Sequence, residues 1–220
     1  MLWYRLVQVV TMVLFAATGG LRATGRQHLP ASGGVLLVSN HLSFLDVFVL
    51  GIPLPRPLNY VARSTLFFPP LGALMRSVGG FPIQREGMGA QGLKETLRRL
   101  RNGGIVTLFP EGTRSPDGEL REMKSGIASL AGRARVPVLP VGIAGTFEAW
   151  PRTRPFPAPH AIRIHYGPAI TPEEIAGLDP EATTKLIRDR IDACRRQARR
   201  DLDRDLGRDR DGDQDESAVG

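Results

Sequence analysis

Short apolar runs rich in β-branched residues alternate with segments of helical periodicity along most of this chain. Strands are predicted at these runs: Val35–Ser39, Leu58–Ala62, Gly80–Ile83, Ile105–Phe109, Val138–Ile143 and Ala161–Tyr166. Helices are predicted at Leu45–Leu50, Leu71–Ser77, Gly89–Arg101, Gly126–Ala134 and Pro180–Leu206. Strands and helices that alternate in this way build βαβ units. The pattern therefore predicts an α/β fold in which the loops after the strands gather at one edge of an open sheet.

Domain organisation follows from changes in composition along the 220 residues. Residues 20–206 are predicted to form one globular domain, since the chain is long enough for a sizeable core and is 42% hydrophobic. Residues 207–220 carry almost no apolar side chains and are predicted to be a disordered, charged tail. Gly19, Gly20 and Gly25 predict a flexible hinge at the start of the domain.

The N-terminal segment, residues 1–19, is mostly apolar between Leu2 and Thr18 but is interrupted by Arg5. It falls short of the roughly 20 apolar residues that span a bilayer, and Arg5 does not form the basic leader of a secretory signal. We predict a membrane-associated helix that lies in one leaflet, with its aromatic residues at the level of the headgroups. A terminal helix packed on a soluble protein is the alternative.

The chain is basic, with a formal net charge of +7 and a pI of about 10.4. Most of the positive charge is arginine, which favours phosphate groups or an anionic membrane surface as partners. Nucleic acid is not an expected partner, because no zinc-finger spacing or aromatic RNA-binding signature accompanies the basic residues. Cys194 is the only cysteine, so no internal disulfide can form, and no candidate base lies near it in the sequence. We expect a structural thiol in a reducing setting.

The segment Asn40–Asp46 follows the first predicted strand and contains a histidine and a carboxylate. Aspartate can fix the tautomer of a histidine and stabilise the imidazolium, so His41 and Asp46 together can act as a general base. A five-residue spacing does not place both side chains on one helix face, so they can meet only if His41 lies in the turn before the helix. A structural interpretation is also open, in which Ser43 is the N-cap of the next helix and Asp46 completes a capping box.

A second polar segment, Phe109–Ser115, leaves the predicted strand that ends at Phe109. Gly112 allows a ligand close to the backbone, Thr113 supplies a hydroxyl, and Arg114 supplies a planar guanidinium that matches a phosphate. Glu111 either orients that arginine or accepts a hydrogen bond from a substrate hydroxyl. A solvated turn with an internal Glu–Arg ion pair is the alternative.

Two more cationic residues, Arg85 and Lys124, follow other predicted elements. Loops at one edge of an open α/β sheet lie close together, so these residues and Arg114 are expected to form an anion pocket near His41. The segment Val136–Ile143 is expected to be a buried strand, which serves as scaffold or as a wall for an apolar ligand.

Four blocks resemble, in their order along the chain and in their separations, the motifs of the glycerolipid acyltransferase family typified by 1-acylglycerol-3-phosphate acyltransferase. They are Asn40–Asp46, Gly80–Glu86, Phe109–Ser115 and Val136–Ile143. The resemblance covers about residues 20–170. The matching positions are His41 and Asp46 in the His-x4-Asp motif, Gly80 and Arg85, the Glu-Gly-Thr-Arg block Glu111–Arg114, Lys124, and Pro140. Two features depart from the family: Gln84 stands where many members have an acidic residue, and one short N-terminal apolar helix stands where some members have two.

The resemblance implies a single α/β domain with a mixed, largely parallel central sheet flanked by helices, together with the membrane-associated N-terminal helix. It implies transfer of a fatty acyl group from acyl-coenzyme A or acyl carrier protein to a lysophospholipid hydroxyl, with 1-acylglycerol-3-phosphate giving phosphatidic acid. His41 would be the general base and Asp46 would orient it, without an acyl-enzyme intermediate. The acceptor would be bound by Arg85, Glu111, Gly112, Thr113, Arg114 and Lys124.

The resemblance calls for no cofactor and no metal ion. The expected partners are the lysophospholipid acceptor, the acyl donor and an anionic membrane surface, at the cytoplasmic face of the inner or cell membrane. The remaining histidines show no metal-ligand spacing with His41 and Asp46; they are His28, His160 and His165.

Other functions stay open at this point. The same chemistry could act on lyso-ornithine lipid, glycerol 3-phosphate or another lysolipid. A hydrolase would pair His41 with a serine, although Ser39 and Ser43 lack the nucleophile-elbow pattern. A non-catalytic basic protein that binds anionic membranes is the alternative from a different class.

Overall fold

Apolar strand sequences form a central sheet in the computed structural model, which describes residues 20–69, 71–77, 79–83 and 89–208. The strands are β1 (Leu21–Thr24), β2 (Val35–Ser39), β3 (Leu58–Arg63), β4 (Phe81–Ile83), β5 (Ile105–Leu108), β6 (Val138–Ala144) and β7 (Ile162–Tyr166). The helices are α1 (Asp46–Val49), α2 (Leu71–Ser77), α3 (Gly89–Arg101), α4 (Gly126–Ala134), α5 (Thr146–Ala149), α6 (Pro172–Ile175) and α7 (Pro180–Asp205). Short 3-10 helices lie at Arg26–His28 and Ser64–Leu66.

Within the described residues the sheet has seven strands in the order β1-β7-β6-β2-β5-β3-β4. The five strands from β6 to β4 run parallel, β7 runs antiparallel to β6, and β1 runs parallel to β7. Leu36 of the central strand β2 lies beside Val106 of β5 on one side and Val138 of β6 on the other. The predicted mixed, largely parallel sheet flanked by helices is confirmed.

Alternate side chains of the strands fill two apolar layers, one on each face of the sheet. Leu37 and Val141 belong to one layer, in which Leu50 at the end of α1 also packs. The Tyr166 hydroxyl donates a hydrogen bond to the Leu50 carbonyl (2.7 Å), which ties β7 to this helix. Leu36 belongs to the opposite layer, which is covered by side chains of α3, α4 and α7. A sheet buried on both faces explains why β2 is a continuous apolar run.

Helix α7 packs directly on strand β6 at Gly142. A Cβ at this position would lie 2.1 Å from the backbone nitrogen of Arg195, so only glycine permits this approach. Cys194 is buried at the same contact, and burial raises the pKa of its thiol to about 11. The expectation of a structural thiol is therefore confirmed.

Some elements differ from the sequence expectations. The predicted glycine hinge is wrong in the part that the structure describes, because β1 follows Gly20 and pairs with β7. Strand β1 has only four residues, which are alternately half-buried and exposed. Such a short edge strand lacks the apolar pattern from which a strand is predicted. The one-turn helices α5 and α6 are not predicted from the sequence either, although Thr171 and Glu174 form a capping box at the start of α6 that signals a helix start.

Several predicted features lie outside the described residues. These are the N-terminal helix within residues 1–19, Gln84 and Arg85, and residues 209–220 of the predicted tail. The domain boundaries therefore stay predictions. Among the described helices, none is long and apolar enough to cross a bilayer.

Replacing Gly142 by alanine is expected to lower the free energy of unfolding by about 1–3 kcal/mol, because the added methyl group forces α7 away from β6. Urea unfolding measures the loss. Gly132→Ala in α4 is the matched control, since a Cβ there meets nothing within 4 Å and should stabilise the helix by roughly 1 kcal/mol. Equal stability of Gly142→Ala and the wild type would contradict the close helix–sheet contact.

Candidate active site

The polar residues of the Asn40–Asp46 and Phe109–Ser115 segments meet because β2 and β5 are neighbouring parallel strands. Their carboxyl ends lie at the same edge of the sheet, as predicted for the loops of an open α/β fold. Strand β6 flanks β2 on the other side, and the Asn40 side chain joins its end. The Asn40 amide accepts from the Ile143 N–H (2.8 Å) and donates to the Ile143 carbonyl (3.0 Å), so it continues the sheet beyond Ser39.

His41 and Asp46 form a hydrogen-bonded pair at this edge. Nδ1 of His41 lies 2.8 Å from Oδ2 of Asp46, and the same oxygen accepts from the backbone N–H groups of Leu42 (2.7 Å) and Ser43 (2.8 Å). The two side chains meet because His41 lies in the turn before α1. A carboxylate oxygen that already accepts two N–H bonds favours the proton on Nδ1 of His41, which leaves the lone pair on Nε2. This geometry leaves Nε2 able to accept a proton.

The capping interpretation of Ser43 is only partly right. Helix α1 begins at Asp46 with Leu45 as its N-cap and has no side-chain cap. The Ser43 hydroxyl instead donates to the Trp150 carbonyl (2.8 Å) and accepts from the Leu45 N–H (3.2 Å). Of the two hydrogen bonds of a capping box, only one forms: the Ser43 N–H donates to the Asp46 carboxylate. The serine thus joins the histidine turn to the loop after α5.

The imidazole of His41 lies against the ring of Phe109. The ring centroids are 3.9 Å apart, the planes are within 15°, and the His41 side chain is 17% exposed. Phe109 covers one face of the imidazole, and Asp46 fixes one ring nitrogen. The only sign of this contact in the sequence is that Phe109 ends the predicted strand Ile105–Phe109.

Glu111 is buried and binds backbone groups of two loops. Its Oε1 accepts from the His41 N–H (2.7 Å), and its Oε2 accepts from the Arg121 N–H (3.0 Å). The His41 carbonyl in turn accepts from the Ser115 N–H (2.7 Å). Both the amide and the carbonyl of His41 are therefore bound by the loop that follows β5. These bonds give Glu111 a positioning role, and its predicted ion pair with Arg114 is not among the contacts of the described residues.

Gly112 and Lys124 lie together in that loop. Gly112 has a φ of 71°, and a Cβ there would lie 2.5 Å from Cε of Lys124. The backbone angle favours glycine at this position, and the lysine side chain lies directly against it. The Lys124 N–H donates to the Pro110 carbonyl (3.0 Å), which holds the exposed lysine beside Gly112. Thr113, the next residue of the loop, is half-buried.

Arg114 lies on the same edge as His41. Its guanidinium carbon is 5.7 Å from the centre of the Phe44 ring. Burial lowers the pKa of Arg114 and the charge of Arg152 lowers it further, whereas the charge of Asp46 raises it. The structure thus brings Arg114 and Lys124 to the loop beside His41, while Arg85 lies outside the described residues. Within those residues no group of three acidic, histidine or cysteine side chains has the geometry of a metal site; the absence of a metal stays a prediction.

Replacing Glu111 by alanine is expected to lower the free energy of unfolding by about 1–3 kcal/mol, because two backbone N–H groups lose their acceptor. Burial raises the pKa of Glu111 above its ordinary value of 4.5. The wild type therefore loses part of its stability as the pH rises through 4.5 toward the raised value, and the variant does not. Urea titrations should show a difference between the two proteins that is largest in acid.

Glu122→Ala is the control for Glu111→Ala, since Glu122 is an exposed carboxylate of the same loop. It should leave the unfolding midpoint nearly unchanged. If both variants unfold alike, Glu111 does not hold the two loops.

Comparisons with known proteins identify relatives of this chain. A 1-acyl-sn-glycerol-3-phosphate acyltransferase of Bacillus subtilis is 28% identical over 144 residues, which are 64% of this chain and 71% of that protein. The chloroplastic 1-acyl-sn-glycerol-3-phosphate acyltransferase BAT2 of Brassica napus is 35% identical over 131 residues, which are 58% of this chain and 38% of that protein. The matched region thus spans less than half of the plant protein.

The fold is also found among solved structures. The crystal structure of the 1-acyl-sn-glycerophosphate (LPA) acyltransferase PlsC from Thermotoga maritima matches with a TM-score of 0.75 at 24% identity, over 90% of this chain and 78% of that one. Residues 20–144, which include His41, Asp46 and the Glu111–Arg114 block, match the model of the Acyltransferase family. The chain therefore belongs to the Acyltransferase family.

Proposed function

We propose that this acyltransferase moves a fatty acyl group from a thioester of coenzyme A or acyl carrier protein to the free hydroxyl of 1-acylglycerol-3-phosphate, which yields phosphatidic acid. The observation that carries the proposal is the His41–Asp46 pair, in which Nδ1 is bound at 2.8 Å and Nε2 is left to accept a proton. The names of the relatives from Bacillus subtilis and Brassica napus support the choice of acceptor.

His41 acts as the general base in this proposal. Its Nε2 takes the proton of the acceptor hydroxyl while the hydroxyl oxygen attacks the thioester carbonyl. A carbon–oxygen bond forms, the carbon–sulfur bond breaks, and the proton passes from Nε2 to the departing sulfur. Asp46 stabilises the imidazolium between these steps, because its buried carboxylate stays bound to Nδ1.

Direct transfer is favoured over a serine acyl-enzyme. The Ser43 hydroxyl donates to the Trp150 carbonyl, and Ser39 is fully buried with its hydroxyl bonded to the Asn40 side chain. A serine nucleophile would instead need its hydroxyl within hydrogen-bond reach of the histidine. These contacts speak against the hydrolase alternative, in which one of these serines is paired with His41.

The acceptor's glycerol phosphate is proposed to bind beside His41, at the loop that follows β5. Arg114 and Lys124 supply positive charge there, Thr113 supplies a hydroxyl, and Gly112 keeps the backbone accessible. Arg85 keeps its proposed role in phosphate binding on the strength of its motif position. Glu111 contributes by holding the His41 backbone, since both of its oxygens accept backbone N–H bonds.

His41→Ala is expected to reduce acyl transfer by about 10²–10⁴-fold, the usual contribution of a general base. The measurement incubates purified protein with labelled acyl-coenzyme A or acyl carrier protein thioester and a panel of lysolipids, and identifies the products. Asp46→Asn should lower kcat as well, because a neutral amide stabilises the imidazolium less. His160→Ala is the control, since the one side-chain hydrogen bond of His160 within the described residues is to the carbonyl of its neighbour Ala161.

Phosphatidic acid is the expected main product for the wild type. A different acylated lysolipid, such as one built on lyso-ornithine lipid, would overturn the choice of acceptor. Release of free fatty acid without acceptor acylation would favour a hydrolase. Near-normal turnover by a folded His41→Ala variant would overturn the mechanism, and vesicle binding without any turnover would favour a non-catalytic membrane-binding protein.

We also propose that the enzyme works on an anionic membrane surface, at the cytoplasmic face of the cell membrane. Phe156 is 75% exposed between two prolines, in the loop whose first residue, Trp150, binds the histidine turn. An exposed aromatic ring in a loop anchored to the histidine turn, in a protein with a net charge of +7, suits the interface of an anionic bilayer.

Phe156→Ser is expected to weaken binding of the full chain to phosphatidylglycerol vesicles by about tenfold, because one buried aromatic ring contributes roughly 1.5–3 kcal/mol. Vesicle sedimentation measures the partition coefficient. Leu178→Ser is the control, since Leu178 is also exposed but follows α6, outside the loop of Phe156 and outside the loops that carry the candidate site residues. Equal partitioning of both variants would contradict the membrane role of Phe156.

A further inference from the structure

The loop between α5 and β7 forms one side of the active site, and hydrogen bonds fix its shape. The Trp150 carbonyl accepts from the Ser43 hydroxyl (2.8 Å), and the Trp150 indole N–H donates to the Arg154 carbonyl (3.0 Å). At the far end, the Ala158 N–H donates to the Ala149 carbonyl (2.8 Å). Residues 150–158 therefore form a closed loop that is anchored to the histidine turn.

Arg152 lies in this loop and contacts the Arg114 segment. Its Nη1 donates to the Arg114 carbonyl (3.4 Å), and its charge is close enough to lower the pKa of the Arg114 guanidinium. Two like charges at short range repel, and partial burial makes the repulsion stronger than in water. The fold therefore keeps two guanidinium groups together against an electrostatic cost.

Neither arginine forms an ion pair with a carboxylate in the part of the chain that the structure describes. Other arginines do: Arg195 binds Glu119, and Arg199 binds Glu148. Carboxylates close to His41 are already engaged, since Glu111 accepts backbone N–H bonds and Asp46 binds the imidazole. Two arginines that form no ion pair within the described residues, beside a proposed catalytic base, are the arrangement that an anionic ligand completes.

We propose that Arg152 joins Arg114 in binding the phosphate monoester of the acceptor and makes the enzyme select phosphate monoesters over phosphodiester and uncharged headgroups. This inference rests on the proposed function. A phosphate monoester carries a charge of about −1.5 to −2 at pH 7 and three terminal oxygens, enough for two guanidinium groups. A phosphodiester carries one charge and two terminal oxygens, so it satisfies the pair less well. Arg152 is outside every motif that the family resemblance covers.

Ligand-induced stabilisation tests the site without turnover. sn-Glycerol 3-phosphate is expected to raise the Tm of the wild type in a concentration-dependent manner, because a ligand that binds only the folded state stabilises it. Arg152→Ala should weaken the apparent affinity by about tenfold, since one charge-assisted bidentate contact is lost. Arg152→Lys should restore part of it, because lysine keeps the charge without the planar guanidinium. Arg154→Ala, in the same loop, should bind like the wild type.

Steady-state kinetics in mixed micelles test whether Arg152 selects acceptors that carry a phosphate monoester. Arg152→Ala should raise the KM for 1-acylglycerol-3-phosphate about tenfold and leave kcat within about twofold, because the general base is untouched. The KM for 1-acylglycerol and for 1-acylglycerophosphoglycerol should change little. A merely structural role for Arg152 would instead change all three acceptors alike.

These experiments distinguish a wrong role for Arg152 from a wrong proposed function. If the wild type acylates 1-acylglycerol-3-phosphate and Arg152→Ala has the same KM and the same response to glycerol 3-phosphate, the role of Arg152 is overturned and the proposed function stands. If the wild type prefers an acceptor without a phosphate monoester, the proposed function fails and the inference fails with it.

Discussion

One buried carboxylate, that of Asp46, organises the candidate site. Its Oδ2 binds the imidazole of His41 and the backbone N–H groups of Leu42 and Ser43, so it shapes the turn and orients the ring at once. A helix that contained both residues would point them in different directions. The carboxylate therefore stabilises the turn before α1 through the two backbone N–H groups, and it orients the imidazole through Nδ1.

The order of the strands in the sheet also positions the histidine turn. Strands β2, β5 and β6 lie side by side, and groups that follow each of them bind the histidine turn. Glu111 and Ser115 bind the His41 backbone from the β5 side, whereas Asn40 and Ser43 join the turn to the β6 side. Most of these bonds end on backbone atoms in the three strands or in the segments that follow them. The strand order therefore places the proposed base.

Charge is divided across the site. Carboxylates turn inward, where Asp46 and Glu111 are buried and hydrogen-bonded to backbone N–H groups. Arginine side chains lie further out, with Arg114 half-buried and Arg152 exposed beside it. An anionic group that approaches from outside therefore meets positive charge before it reaches the histidine. This arrangement is the electrostatic basis for both the proposed acceptor and the proposed role of Arg152.

Local patterns determined much of this protein. The residues of β2, α3 and α4 follow their predicted bounds. Strand β2 is a continuous apolar run, and the two helices carry apolar side chains at helical spacing on their buried faces. The His41–Asp46 pair and the Glu111–Arg114 block are also predicted as candidate site residues, since the prediction needs only their residue types and their order in the sequence. Only the tertiary structure decided which group each polar atom binds. Glu111 reaches an amide 70 residues away, and Arg152 reaches a carbonyl 38 residues away, so both contacts depend on strand order. Local pattern does not encode strand order, because strands pair through backbone N–H and C=O groups that every strand carries.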